Sequence, residues 1–172
     1  MQDKIKDDNI LEGLTSYWTD RAKSYSVQNI AEMNDWRQQA WRKLILSYAP
    51  PKECLRILDV GTGPGFFAIN LAMAGHNVTA VDVTEEMLFH AKENAKSYGT
   101  KVNFILHRGE FLPFEDNSFD LIVSRNVILS SFILSCIFLH SPVFYLSRYH
   151  LLHASTCHDH KQYYYKDYPE KS

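Results

Sequence analysis

The chain has 172 residues, a length that suits one domain. Its 45% apolar and 22% charged residues exclude wholesale disorder, and a net charge of −2 gives no general attraction to nucleic acid or an anionic membrane. Cys54, Cys136 and Cys157 are too scattered for a disulfide framework and MQDKIKDDNI lacks a signal peptide's apolar core, so a cytoplasmic setting is expected.

In chain order, residues 9–48 read as helical. Leu11, Leu14, Trp18, Ala22 and Tyr25 recur at three- and four-residue steps, and Ile30, Met33, Trp36, Trp41, Leu44 and Ile45 continue them. Pro50-Pro51 stops the pattern. Leu55 to Val60 is a short apolar run ending in a glycine-rich turn, as a buried strand does. Phe66 to Ala74 is helix-like and closes on Gly75. Asn77 to Val83 is a second strand, after which Thr84 caps a helix running to Gly99 with Glu85 and Glu86 in its first turn. Val102 to Leu106 and Asp120 to Ser124 make a third and a fourth strand. Strands separated by helices imply crossover connections. The fold expected is α/β, a doubly wound Rossmann-like parallel sheet with helices on both faces.

Composition breaks near Val127. All seven glycines lie at or before Gly109, whereas five of eight histidines and six of ten tyrosines follow Val127. Residues 1–127 therefore read as helices plus a ligand-binding domain, and 128–172 as an atypical tail rather than a recognisable domain. Ile128 to Leu146 approaches the length of a membrane span, but its serines, His140 and Pro142 argue against one. Cys136, His140, His150, His153, Cys157, His158 and His160 match no standard zinc spacing, so no metal site is expected.

The informative segment is Asp59-Val60-Gly61-Thr62-Gly63-Pro64-Gly65. In such sheets ligands sit at the carboxyl ends of the strands, where glycines let the backbone approach and the turn aims the N–H groups at the start of the next helix toward a bound anion. A nicotinamide fingerprint would require G-x-G-x-x-G, and Phe66 stands in the third glycine's place. A P-loop would require a lysine after the glycines, and none follows. The spacing present is D-x-G-x-G-x-G. Its acid suits a ligand with a positive group near the turn. Asp82, closing the second strand, is placed to accept two ribose hydroxyls.

With YWTDRAKSYS, ILDVGTGPGFFAINLAMAG, VTAVDVTEEML, RGEFLPFEDNSFD and LIVSRNV in order, residues 15–127 resemble the class I S-adenosylmethionine-dependent methyltransferases of the type 11 group. The resemblance implies S-adenosyl-L-methionine as cofactor. It would set Gly61, Thr62, Gly63 and Gly65 beside the methionine moiety, with Asp59 holding the amino group. It implies Asp82 as the ribose ligand, Val83 and Met87 bordering the adenine, and Glu110 accepting from the adenine amino group with Phe111 beside it. Arg125 would lie near the methyl group, and Tyr17, Trp18, Arg21 and Tyr25 are candidates for a helical lid.

The acceptor expected is a small molecule. An Asn/Asp-Pro-Pro-aromatic signature of amino-methylating DNA enzymes is absent where Arg125-Asn126-Val127 stands, and no proline–cysteine nucleophile is present. Residues 1–127 carry 14 Lys and Arg against 17 Asp and Glu, which makes no phosphate-binding face. No catalytic base is identified. The family's continuation beyond the fourth strand is not recognisable in 128–172. A truncated or frame-altered chain is therefore expected, with the C-terminal half of the sheet incomplete and the fourth strand an unpaired edge. The alternatives are an inactive cofactor-binding remnant and a nicotinamide-dependent oxidoreductase.

Overall fold

The computed structural model describes residues 2–107 and 112–125, with the backbone of 143–146, 151–154 and 164–165. Its elements run α1 (Gln2–Met33), α2 (Trp36–Ser47), β1 (Arg56–Val60), α3 (Phe66–Met73), β2 (Asn77–Asp82), α4 (Glu85–Ser97), β3 (Asn103–Leu106) and β4 (Leu121–Ser124). Three short strands follow, β5 (Val143–Leu146), β6 (Leu151–Ala154) and β7 (Tyr164–Tyr165).

The expected strands and helices from residue 55 to 124 all form, within a residue or two of their sequence bounds. The N-terminal helical stretch is divided. Asp35 adopts extended backbone and its side chain accepts from the Arg37 N–H, capping α2 and ending the continuity of the pattern. Thr84 does sit at the N-cap of α4, but its hydroxyl makes no cap bond; the Thr84 N–H donates instead to Asp82 Oδ1 at 2.9 Å.

The sheet order is β3-β2-β1-β4-β5-β6-β7. β1 pairs in parallel with β2 and β4, and β2 with β3. The expectation that β4 is an unpaired edge does not hold, because β5 lies parallel against it at Ile122–Phe144 to Ser124–Leu146. β6 and β7 then continue antiparallel. These last strands are only four, four and two residues long, and no helix joins them among the described residues.

Side chains alternate across the sheet. Ile57, Val78, Ala80, Leu121 and Val123 face one way and form a core with Met33, Ile45, Phe67, Ile69, Leu71 and Ala95, so α1 to α4 all pack on that face. The crossovers β1 to β2 and β2 to β3 run in the same direction, and a single handedness puts both helices on the same side. Leu58, Val60, Val81 and Ile122 face the other way, against Leu112 and Phe119. The helical layer expected on that second face is therefore not found among the described residues; the segment around 112–119 covers it.

Candidate cofactor site

Three glycines turn the chain from β1 into α3, all at positive φ: Gly61 at 69°, Gly63 at 54° and Gly65 at 92°. Gly65 is less open to another residue than Gly63, since a Cβ there would meet Ile69 Cδ1 at 3.0 Å and the Ala91 Cβ at 3.4 Å. It is the point at which α3 and α4 close on the turn.

The turn's donors are mostly spent within the protein. The Gly61 and Thr62 N–H groups both donate to the Val81 carbonyl, at 2.8 and 3.0 Å, and the Gly65 N–H donates to the Thr62 carbonyl. The Gly63 N–H donates to Asp82 Oδ2 at 2.8 Å. The turn folds back on β2 because strand end and carboxylate supply acceptors for these N–H groups.

Two buried carboxylates lie beneath it. Asp59, 1% exposed near the end of β1, accepts from the Thr62 hydroxyl at 2.7 Å. Burial, the largest cause, pushes its acid up to about 7, against the Thr62 hydrogen bond that favours the charged form. Asp82, at the end of β2, is likewise pushed up by burial and held down by the Thr84 and Gly63 N–H groups. A cationic group arriving here would favour both ionised forms.

The other expected residues distribute unevenly. Met87 is buried in the first turns of α4, and a Cβ on Gly63 would approach its sulfur to 3.9 Å. Val83 is half-buried between Asp82 and Thr84. Glu110 and Phe111 lie outside the described residues, as do the side chains of the tail histidines and cysteines. Arg125 follows β4, its guanidinium 4.6 Å from the Phe66 ring centroid and 2.6 Å from Glu32 Oε2. Of the four lid candidates, Tyr25 reaches the turn: a Cβ on Gly63 would meet its ring at 3.5 Å. Trp18 packs on Tyr25, while Arg21 stacks on half-exposed Tyr17 at 3.8 Å.

Sequence reasoning missed Asn29, Glu32 and Asn94. Asn94 Nδ2 donates to the Pro64 carbonyl at 2.9 Å and to Ser26 Oγ at 3.1 Å, tying α4 to both the glycine turn and α1. Glu32 Oε1 also accepts from Arg37 at 3.2 Å, so two arginines share this carboxylate. A cavity of about 20 Å³ remains between Tyr25, Asn29, Asp59, Thr62, Phe66 and Arg125. That is room for about one water molecule.

The methyltransferase domain family matches residues 57–134. The chain is similar to the class I S-adenosylmethionine-dependent methyltransferases, the family match covering a little under half of it. Over 76 residues it is 43% identical to malonyl-[acyl-carrier protein] O-methyltransferase of Erwinia pyrifoliae, a match covering 44% of this chain and 28% of that protein. Over 121 residues it is 26% identical to the ubiquinone/menaquinone biosynthesis C-methyltransferase of Dinoroseobacter shibae, covering 68% of this chain and 48% of its relative. It superposes on the crystal structure of a SAM-dependent methyltransferase from Aquifex aeolicus with TM-score 0.59 and 25% identity, covering 74% and 70% of the two chains. The chain thus spans between about a quarter and a half of the length of these curated relatives. S-adenosylmethionine is the cofactor of this methyltransferase domain. Its features fit such a ligand: two buried carboxylates suit amino and hydroxyl donors, and a turn whose donors are spent offers little to a pyrophosphate. Among the described residues no helix is long and apolar enough to cross a membrane, and no cluster of metal-ligating side chains occurs.

Proposed function

We propose that the chain binds S-adenosylmethionine at the β1–α3 turn and serves methyl transfer to a small-molecule acceptor, with residues 1–127 as the cofactor-binding unit. The observation that carries this reading is the pair Asp59 and Asp82, buried at adjoining strand ends under a turn with its N–H groups already bonded. Asp82 would take the ribose hydroxyls and Asp59 the amino group. Gly61, Thr62, Gly63 and Gly65 would line the methionine moiety, with Val83 and Met87 at the adenine. Glu110 and Phe111 would complete the adenine end, and Arg125 the carboxylate end.

The cofactor supplies a methyl group on a sulfonium, a leaving group activated by its own charge. The protein's part is alignment and the exclusion of water. Tyr25 and Phe66 line this end of the site beside Arg125. The two relatives named above differ, one a malonyl-[acyl-carrier protein] O-methyltransferase and one a ubiquinone/menaquinone biosynthesis C-methyltransferase, yet both match this part of the chain. The acidic balance of residues 1–127 favours a small molecule over a nucleic acid.

Thermal unfolding of the purified chain with S-adenosylhomocysteine, and with NAD in parallel, tests the reading. Ligand at 100 times its Kd adds roughly 2.7 kcal/mol, a shift of several degrees. A shift with the adenosyl ligand alone, lost in Asp82→Ala, supports it; a cooperative transition indifferent to that ligand overturns it. Transfer of label from methyl-labelled cofactor to a panel of small acceptors then separates an active enzyme from a binding remnant.

A further inference from the structure

Glu32 and Arg125 come from opposite ends of the described chain, one on α1 and the other just past β4, and meet at 2.6 Å with side chains 7% and 19% exposed. Arg125 lines the cavity of about 20 Å³ beside the glycine turn. Sites for ligands of this size hold some hundreds of cubic ångströms. The amino-acid end of a cofactor therefore enters only if groups lining this cavity move, Tyr25 and Asn29 of α1 among them.

Removing one partner of a buried ion pair ordinarily leaves an uncompensated charge at a cost of several kcal/mol. Here that cost is avoided on both sides. Glu32 keeps Arg37, whose Nη1 donates to its other oxygen at 3.2 Å, and Arg37 is anchored on Asp35 at 2.6 Å. Arg125 keeps its place over the Phe66 ring, with Trp41 and Phe67 within 6 Å.

We propose that Arg125 exchanges counter-ions: the α-carboxylate of the bound cofactor replaces Glu32 on its guanidinium, Glu32 falls back on Arg37, and the C-terminal half of α1 is released from the turn. Glu32 is thus a positioning residue that makes α1 respond to the amino-acid end of the ligand. The inference rests on the cofactor reading above and deepens it.

Two ligands separate its parts: S-adenosylhomocysteine carries the amino-acid carboxylate, and methylthioadenosine shares the nucleoside and thioether but lacks it. Calorimetric Kd values are measured for both on the parent chain, Glu32→Gln and Arg37→Gln. Glu32→Gln leaves Arg125 without its competitor, and S-adenosylhomocysteine tightens roughly three- to tenfold with methylthioadenosine unchanged. Arg37→Gln removes the fallback partner, and S-adenosylhomocysteine weakens by a similar factor. Amide exchange in residues 25–33 rises with S-adenosylhomocysteine and not with methylthioadenosine. A Kd ratio of the two ligands that stays constant across the variants overturns the exchange, as does slower exchange in α1 on binding. If Glu32→Gln does not fold, Arg37→Gln and the exchange data decide. Failure of S-adenosylhomocysteine to bind the parent chain at all overturns the cofactor reading itself.

Discussion

The Asp82 carboxylate, at the end of β2, holds the Gly63 N–H of the neighbouring β1–α3 turn at 2.8 Å while its second oxygen takes the Thr84 N–H at 2.9 Å. One side chain thus fixes a loop from another strand and the entry to its own following helix. Asp82→Ala leaves both buried donors without acceptors, and a loss of about 2–4 kcal/mol is expected. Asp82→Asn retains one acceptor and loses less. Urea unfolding of the two variants checks the order; equal losses would show that the carboxylate does not carry both bonds.

Asp59 makes stability fall as pH rises. Its folded acid titrates at about 7, above the ordinary aspartate value of about 3.9, so between these limits the folded chain binds the proton more tightly than the unfolded one. More protons on the native state mean a negative slope of unfolding free energy with pH. Asp59→Asn keeps an acceptor for the Thr62 hydroxyl and removes the titration. Its stability profile from pH 4 to about 7 is therefore flatter than the parent's by denaturant titration at a series of pH values.

Asp120 has the opposite sign. Its carboxylate receives the Arg56 N–H and guanidinium and the Lys52 ammonium, all within 3.3 Å, and Arg56 is the main cause holding its acid well below the usual range. The stability it contributes is present above the ordinary aspartate value and lost as pH falls below it. Because Lys52 and Arg56 are half-exposed, the contribution is modest, about 1 kcal/mol, and screened by salt. Asp120→Asn should lower stability at pH 7 by that order and narrow the gap at pH 3; an undiminished gap would remove the ion pairs from the explanation.

Glycine replacements grade the turn. Gly65→Ala combines φ of 92° with a 3.0 Å approach to Ile69, and about 2–3 kcal/mol of destabilisation is expected. Gly75→Ala, at φ 90° in open space, costs about 1 kcal/mol. Gly13→Ala, within α1 and also in open space, stabilises by about 0.5–1 kcal/mol. Melting temperatures of the three report the ranking directly, and a Gly65→Ala chain as stable as Gly75→Ala would refute the close packing of α3 and α4 at this point.

The strands and helices from 56 to 124 were legible because each signal was local: apolar runs of strand length, Thr84 and Gly75 at helix ends, and the glycines after Asp59. The break at Asp35 was legible in principle, as an Asn-Asp pair before a fresh helical pattern, yet the apolar spacing on either side runs straight through it. The polar joints were not legible. Asn94 and Glu32 carry no local signal, and only tertiary contact shows that they are buried, at 7% and 5% exposure, against partners about 30 to 90 residues away. The turn's spent donors were hidden for the same reason, since Val81 and Asp82 reach it across the sheet.

α1 precedes α4 in the chain yet is held by it, because Thr19 bonds Glu86 and Ser26 bonds Asn94, 67 and 68 residues later. Contacts this distant in sequence form late, after the loop between them has closed. The helix that covers the turn is therefore held partly by residues made after the turn itself. A nascent chain paused before residue 94 would present the bare glycine loop, with its cover still unattached.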